Sequence, residues 1–314
     1  MKVILHIGAH RTGTTSFQMY MRREAAGLQG QGIGFWGPAR TRKGLFAGIQ
    51  PVPGLGATAA QRARGRILLQ MDRAAQNGVG TLVVSDENMM GSVRRNLRAR
   101  ALYPDVGERL ARYVGAFDGR IDTVILSVRA LDHFWASTAA YGVSRGHGVP
   151  DAHGAMQIAM GARTWRDVVQ DVACAAPGAR IVVAPFETSA ARPDTMLAIG
   201  TGVSVPVDRT PDRLNKAPGP DALRSILMDR GEDPEQIARG TGRWTPFDIS
   251  ARAMLREAYA DDMLWLVAGA DGLANLTEDL DHARAGQTPP YGPRTRGHPP
   301  HDKQERRMAE PRGS

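Results

Sequence analysis

The sequence predicts an α/β fold: a three-layer αβα sandwich with a central parallel sheet and a helical C-terminal part. Two observations lead there. Four short apolar runs (Val3–Ile7, Thr81–Ser85, Ile121–Ser127 and Arg180–Ala184) are bounded by Gly, Asp, Pro or charged residues and lack clean polar alternation. Such runs read as strands buried on both faces. Segments of helical pattern separate them, and strand–helix alternation implies right-handed crossovers between parallel strands.

The helical segments follow in order. One covers Thr14–Ala25 after the first run, another Ala59–Gln76 before the second, and a third Pro104–Phe117 before the third run. Leu131–Tyr141 and Thr164–Ala175 lie between the third and fourth runs. Beyond the fourth, Asp221–Asp229 and Asp248–Val267 are the clearest helices. The latter carries Met254, Leu255, Ala258, Met263, Leu264 and Leu266 as a stripe expected to face the core. Residues 30–57 and 142–154 are rich in Gly and Pro and read as long loops, one of them expected to serve as a substrate lid. No internal repeat is present.

A chain of 314 residues with 42% hydrophobic content buries a substantial core. We expect one α/β domain over residues 1–282 and a disordered basic, Pro-rich tail over 283–314. That tail holds seven Arg/Lys against three Asp/Glu, and six prolines. It accounts for half of the net charge of +8, so the body carries a modest surplus. This surplus argues against a specific nucleic-acid role and suits a polyanionic small ligand. No run of apolar residues is long enough for a membrane span, no signal-peptide pattern is visible, and a cytoplasmic location is expected. The single cysteine, Cys174, excludes an internal disulfide and is read as a small buried residue. Oligomeric state has no signature here.

The segment Gly8-Ala-His-Arg-Thr-Gly13-Thr-Thr15 joins the first strand to the first helix. Glycines let a backbone wrap an anion, and the helix beginning near Thr14 adds free N–H donors and a positive dipole end. Thr12, Thr14 and Thr15 offer hydroxyls, and Arg11 a planar cationic fork. The spacing approximates a nucleoside-triphosphate loop, G-x-x-x-x-G-K-S/T, but Thr14 stands where that loop has its lysine. A nucleotide kinase or NTPase is therefore the weaker reading, and a non-catalytic nucleotide-binding module stays open.

Arg11-Thr-Gly-Thr-Thr15, with His6-Ile-Gly8 before it and Ser16-Phe-Gln18 after it, resembles the 5′-phosphosulfate-binding loop of the sulfotransferase family. Arg11 stands where lysine is more usual. The resemblance implies a P-loop NTPase-like fold, 3′-phosphoadenosine 5′-phosphosulfate (PAPS) as sulfuryl donor, no metal, and a small-molecule, glycan or lipid acceptor with a hydroxyl or amine. It assigns His10, Arg11, Thr12, Gly13, Thr14 and Thr15 to the donor. Family members hold the 3′-phosphate with an arginine at the end of a middle strand and a serine eight residues later. Arg129 and Ser137 have that spacing. The resemblance covers about residues 1–270, and only these two motifs are specific.

Arg11 is the expected stabiliser of the leaving phosphate. Glu87, at the end of the second apolar run, is the first candidate for general base, His10 the second and His133 a distant third. His147 and His153 lie in the second Gly-rich stretch. Val183–Glu187 and Trp165–Val168 are expected to serve packing and helix capping, and Arg213–Lys216 is a candidate late loop over the nucleotide.

Overall fold

The computed structural model describes residues 1–51, 57–190, 192–208 and 216–277. Six strands form one parallel sheet: β1 (Lys2–His6), β2 (Ile33–Trp36), β3 (Thr81–Ser85), β4 (Thr123–Val128), β5 (Arg180–Pro185) and β6 (Asn275–Leu276). Their spatial order is β2-β3-β1-β4-β5-β6. The main helices are α1 (Thr14–Arg23), α2 (Ala57–Gln76), α3 (Val93–Ala99), α4 (Val106–Ala116) and α5 (Leu131–Ser144). They continue with α6 (Ala152–Ala159), α7 (Trp165–Ala175), α8 (Pro193–Thr201), α9 (Pro220–Asp229) and α10 (Ile249–Val267).

Strand alternation sorts the core into two layers. Val3 and Leu5 of β1, Leu82 and Val84 of β3, and Val124 and Leu126 of β4 point to one side, where α2, α4, α7 and α10 bring Ile67, Leu110, Val168 and Leu255. Ile4, Val83 and Ile125 point to the other side and meet Phe17 and Tyr20 of α1 and Leu197 of α8. Each such burial contributes roughly 1.5–3 kcal/mol, so the sheet is fixed from both faces. A smaller apolar cluster joins Ala139 and Val143 of α5 to Leu223 and Leu227 of α9.

The order places β1 at a reversal. From β1 the chain leaves toward β2, whereas from β4 it leaves toward β5 on the opposite side. Such a reversal opens a crevice at the carboxyl ends of the two strands. The loops after β1 and β4 flank it, and Ala9 N still donates to Ser127 O (3.1 Å) before the first loop turns away.

Several expectations change. The stretch 30–57 is not a plain loop: it contains β2, a helical turn at Pro38–Arg40 and a π-turn at Thr41–Leu45. Within 142–154, α5 runs on to Ser144 and Asp151 caps α6 by accepting from Gly154 N (2.7 Å). Met254 and Leu264 are exposed, because the buried face of α10 is Ala251, Leu255, Asp262 and Leu266. Cys174 is exposed rather than buried, on the outer side of α7. The predicted tail 283–314 lies outside the described residues, as do three of the four residues of the candidate loop 213–216. No helix among the described residues is long and apolar enough to cross a membrane.

Candidate functional site

The loop after β1 turns through two left-handed residues. Arg11 has φ 68° and Gly13 φ 82°. A left-handed conformation is costly for a residue with a Cβ and persists where the surroundings hold it. Here Arg129 Nη1 donates to Arg11 O (2.9 Å) and fixes that backbone. Gly13, the N-cap residue of α1, offers no side chain to cap the helix. Ser92, Asp151 and Asp248 cap α3, α6 and α10, whereas the N-cap residues of α4, α5, α8 and α9 make no such bond.

Thr12 and Thr14 are both buried and both donate inward to Ala9 O, at 2.5 and 3.3 Å. Their hydroxyl protons therefore stabilise the turn. Thr15 is partly buried at the start of α1.

Arg11, Arg129 and Ser137 come together. Arg11 Nε donates to Ser137 Oγ (3.0 Å), and its guanidinium lies 5.4 Å from the Tyr141 ring centre. Ser137 is 2% exposed, so it is not a surface hydroxyl. Arg129 is only 6% exposed, and its Nε has no hydrogen-bond partner among the described residues. Its guanidinium stacks 4.4 Å from the Phe186 ring centre, and its carbonyl accepts from Trp165 Nε1 (2.7 Å). Asp132 does not pair with it, because Arg256 holds that carboxylate at 2.8 Å. Burial lowers the Arg129 pKa to about 10, with repulsion from Arg243 and Arg11 opposing attraction from Glu187 and Asp132. A buried cation without a carboxylate partner is costly on its own.

His10 faces the same edge. Tyr103 Oη accepts from His10 N (2.8 Å) and lies 3.0 Å from His10 Nδ1, while Nε2 is 3.3 Å from Asn88 Oδ1. Burial lowers the His10 pKa against the pull of Glu87, keeping the ring neutral.

Glu87 stands beside it with both oxygens engaged. Oε1 accepts from Arg42 (2.9 Å) and Oε2 from Gln18 (3.1 Å). Burial raises its pKa, but the Arg42 bond and charge outweigh this and leave it below the usual carboxylate range. Asp86 caps the turn after β3 through Asn88 N (3.0 Å) and accepts from Thr41 and Arg42. Neither acid reaches Arg94 or Arg95; the latter pairs with Asp105 at 2.8 Å.

His133 is partly exposed on α5, 3.8 Å from Asp132 and within the fields of Arg243 and Arg129, and His153 Nε2 lies 2.8 Å from Gln157 Nε2. His147 does line the open space beside His10. Trp165–Val168 opens α7 with a capping box between Thr164 and Asp167. The residues that sequence reasoning missed are Arg42, Tyr103 and Arg243, which come from loops whose path only the fold reveals. Phe186, within the Val183–Glu187 segment expected to serve packing, packs its ring on the Arg129 guanidinium.

Compared with protein-family models, with curated proteins and with solved structures, the chain matches none. The class the fold defines is an α/β protein with a six-stranded parallel sheet and a cationic crevice at its carboxyl edge.

Proposed function

We propose that this protein is a sulfotransferase that binds PAPS across the β1–β4 crevice and passes its sulfuryl group to a hydroxyl or amine. The observation that carries this reading is Arg129, a buried guanidinium whose Nε has no hydrogen-bond partner among the described residues, bonded to the loop that leads into α1. Two anion positions next to each other fit a ligand with phosphates at two ends better than a single triphosphate chain. The absence of a lysine at Thr14 points the same way.

In this reading the acceptor oxygen or nitrogen forms a bond to sulfur as the bond from sulfur to the 5′-phosphate oxygen breaks. The bonding pair stays on that phosphate, and the acceptor proton passes to a base. Catalysis is mainly in-line positioning and charge stabilisation. Arg11 and the first N–H groups of α1 neutralise the leaving phosphate, and Arg129 with Ser137 holds the 3′-phosphate. His10 is better placed as base than Glu87, whose oxygens are bonded to Arg42 and Gln18. Asn88 Oδ1 can only accept, so in this arrangement His10 Nε2 carries the proton and Nδ1 accepts from Tyr103 Oη. His10 serves as base in its other tautomer, with the proton on Nδ1 and Nε2 turned from Asn88 to an incoming hydroxyl.

The test is calorimetry with 3′-phosphoadenosine 5′-phosphate and with ATP. Binding of the bisphosphate at least tenfold tighter than ATP supports the reading. Equal affinities overturn it.

A further inference from the structure

Beside His10 lies a cavity of about 780 Å³ that the donor reading leaves unfilled. Its wall includes His10, Glu87, Tyr141, Arg94, Arg98 and Arg145. It opens on the β3 side of the loop, away from Arg129 and Phe186. His10 therefore stands between the donor crevice and this space, where an acceptor has to lie.

Its charge is one-sided. Glu87 is the only carboxylate on the wall, and Arg42 already neutralises it (2.9 Å). Arg94, Arg98 and Arg145 have no carboxylate partner among the described residues, and all three side chains are exposed. Arg94 and Arg98 are four residues apart on α3, a like-charge spacing that costs a helix about 0.2–0.5 kcal/mol. Their neighbour Arg95 is paired with Asp105 instead. Arg145 stands at the end of α5, its guanidinium 5.3 Å from the same Tyr141 ring that Arg11 approaches.

The packing fixes this arrangement. A Cβ at Gly142 would lie 2.6 Å from Leu97 Cδ1, so the Leu97 side chain of α3 rests on bare backbone of α5. Arg230 donates to Val143 O (2.8 Å) and binds the far wall through the His147 carbonyl. The stretch after α5 is thus a tethered wall and not a free lid. Positive charge converges there: burial lowers the His147 pKa, and Arg94, Arg98 and Arg230 lower it further.

We infer that the acceptor carries its own oxyanion, a carboxylate, phosphate ester or sulfate ester, which Arg94, Arg98 and Arg145 hold while His10 meets the acceptor hydroxyl. This inference rests on the sulfotransferase reading for its chemistry, but the anion site itself is measurable without turnover.

The experiment is calorimetry on the full chain with glucose, glucuronate, glucose 6-phosphate and glucose 6-sulfate, each with and without saturating 3′-phosphoadenosine 5′-phosphate. It is repeated on the double variant Arg94→Ala/Arg98→Ala and on Arg145→Ala. At least one charged sugar is expected to bind tenfold or more tightly than glucose. That preference should fall at least tenfold in the double variant, with bisphosphate affinity unchanged. The preferred sugar identifies the anion. No preference over glucose, or a preference untouched by both variants, overturns the inference. Loss of bisphosphate binding in the wild type, with sugar selectivity intact, would sink the donor reading alone.

Discussion

Arg129 separates a ligand-binding role from a structural one, because the two make opposite predictions about stability. Its pKa falls from the ordinary guanidinium value to about 10, chiefly through burial. Allowing for screening at its outer edge, that corresponds to about 2–3 kcal/mol held against the charged form. Replacement by methionine removes this cost along with the bond to Arg11 O and the stack on Phe186. Those two contacts are worth about 1 kcal/mol each. The gains and losses nearly cancel, so Arg129→Met should unfold within about 1 kcal/mol of wild type in urea. Its affinity for 3′-phosphoadenosine 5′-phosphate should drop about ten- to hundredfold, since charge-assisted bonds are worth about 1.5–3 kcal/mol. Calorimetry and urea unfolding on the same preparation read both quantities. A stability loss of about 3 kcal/mol or more with affinity intact would show that the arginine is structural, as breaking a buried ion pair does.

His10→Ala should lower turnover about 10²–10⁴-fold, the usual range for a lost general base, whereas Glu87→Gln should keep it within a few-fold. A larger loss in the glutamine variant reverses the assignment. His6 is fully buried, and its pKa is lowered from 6.5 to about 4 by burial, partly offset by Glu87. Because the folded value lies below the unfolded one, this group's contribution is complete above pH 6.5 and is lost as pH falls toward 4. Between pH 7 and pH 5 the wild type should lose about 2 kcal/mol that His6→Gln does not lose. Equal losses in urea titrations at the two pH values would contradict the neutral, buried assignment.

The sheet was legible where its strands are buried on both faces. Runs such as Val3–Ile7 and Thr81–Ser85 are uniformly apolar because helices cover them above and below. β2 escaped notice because Ile33–Trp36 is a four-residue edge strand inside Gly-rich surroundings, and β6 has only two residues. α3 was hidden by its polarity: Val-Arg-Arg-Asn-Leu-Arg-Ala has no apolar stripe. On α10, Asp262 occupies a core-facing position and accepts from Thr164 Oγ1 (2.6 Å) and Trp165 N (2.8 Å). A polar residue in such a stripe serves a partner helix that local pattern does not reveal.

Arg129 and Ser137 stand out in the sequence only through the family pattern they resemble, and the end of β4 and α5 carry them to the same edge of the sheet. What the sequence did not show is that Arg11 bridges them, reaching Ser137 with its side chain and Arg129 with its carbonyl. Nor did it show Arg42, which arrives from the turn after β2 and converts Glu87 from a candidate base into an ion-pair partner. Both are long-range contacts set by strand order, and no local periodicity encodes them.

The treatment of buried charge elsewhere in the fold strengthens the case for the crevice. Asp86 is paired with Arg42 and Thr41, Asp132 with Arg256, Asp194 with Arg192, and Arg224 with Glu235. Asp262 accepts from the first residues of α7. Arg129 alone among these buried charges has no opposite charge and no capping role. A fold that pairs or caps each of these other buried charges would be expected to bury this one beside a carboxylate. Instead it directs Arg129 and the uncapped end of α1 toward one crevice and leaves three further arginines around the adjoining cavity. Both groups of cations lie at the carboxyl edge of the sheet, where the two proposed oxyanions would meet them.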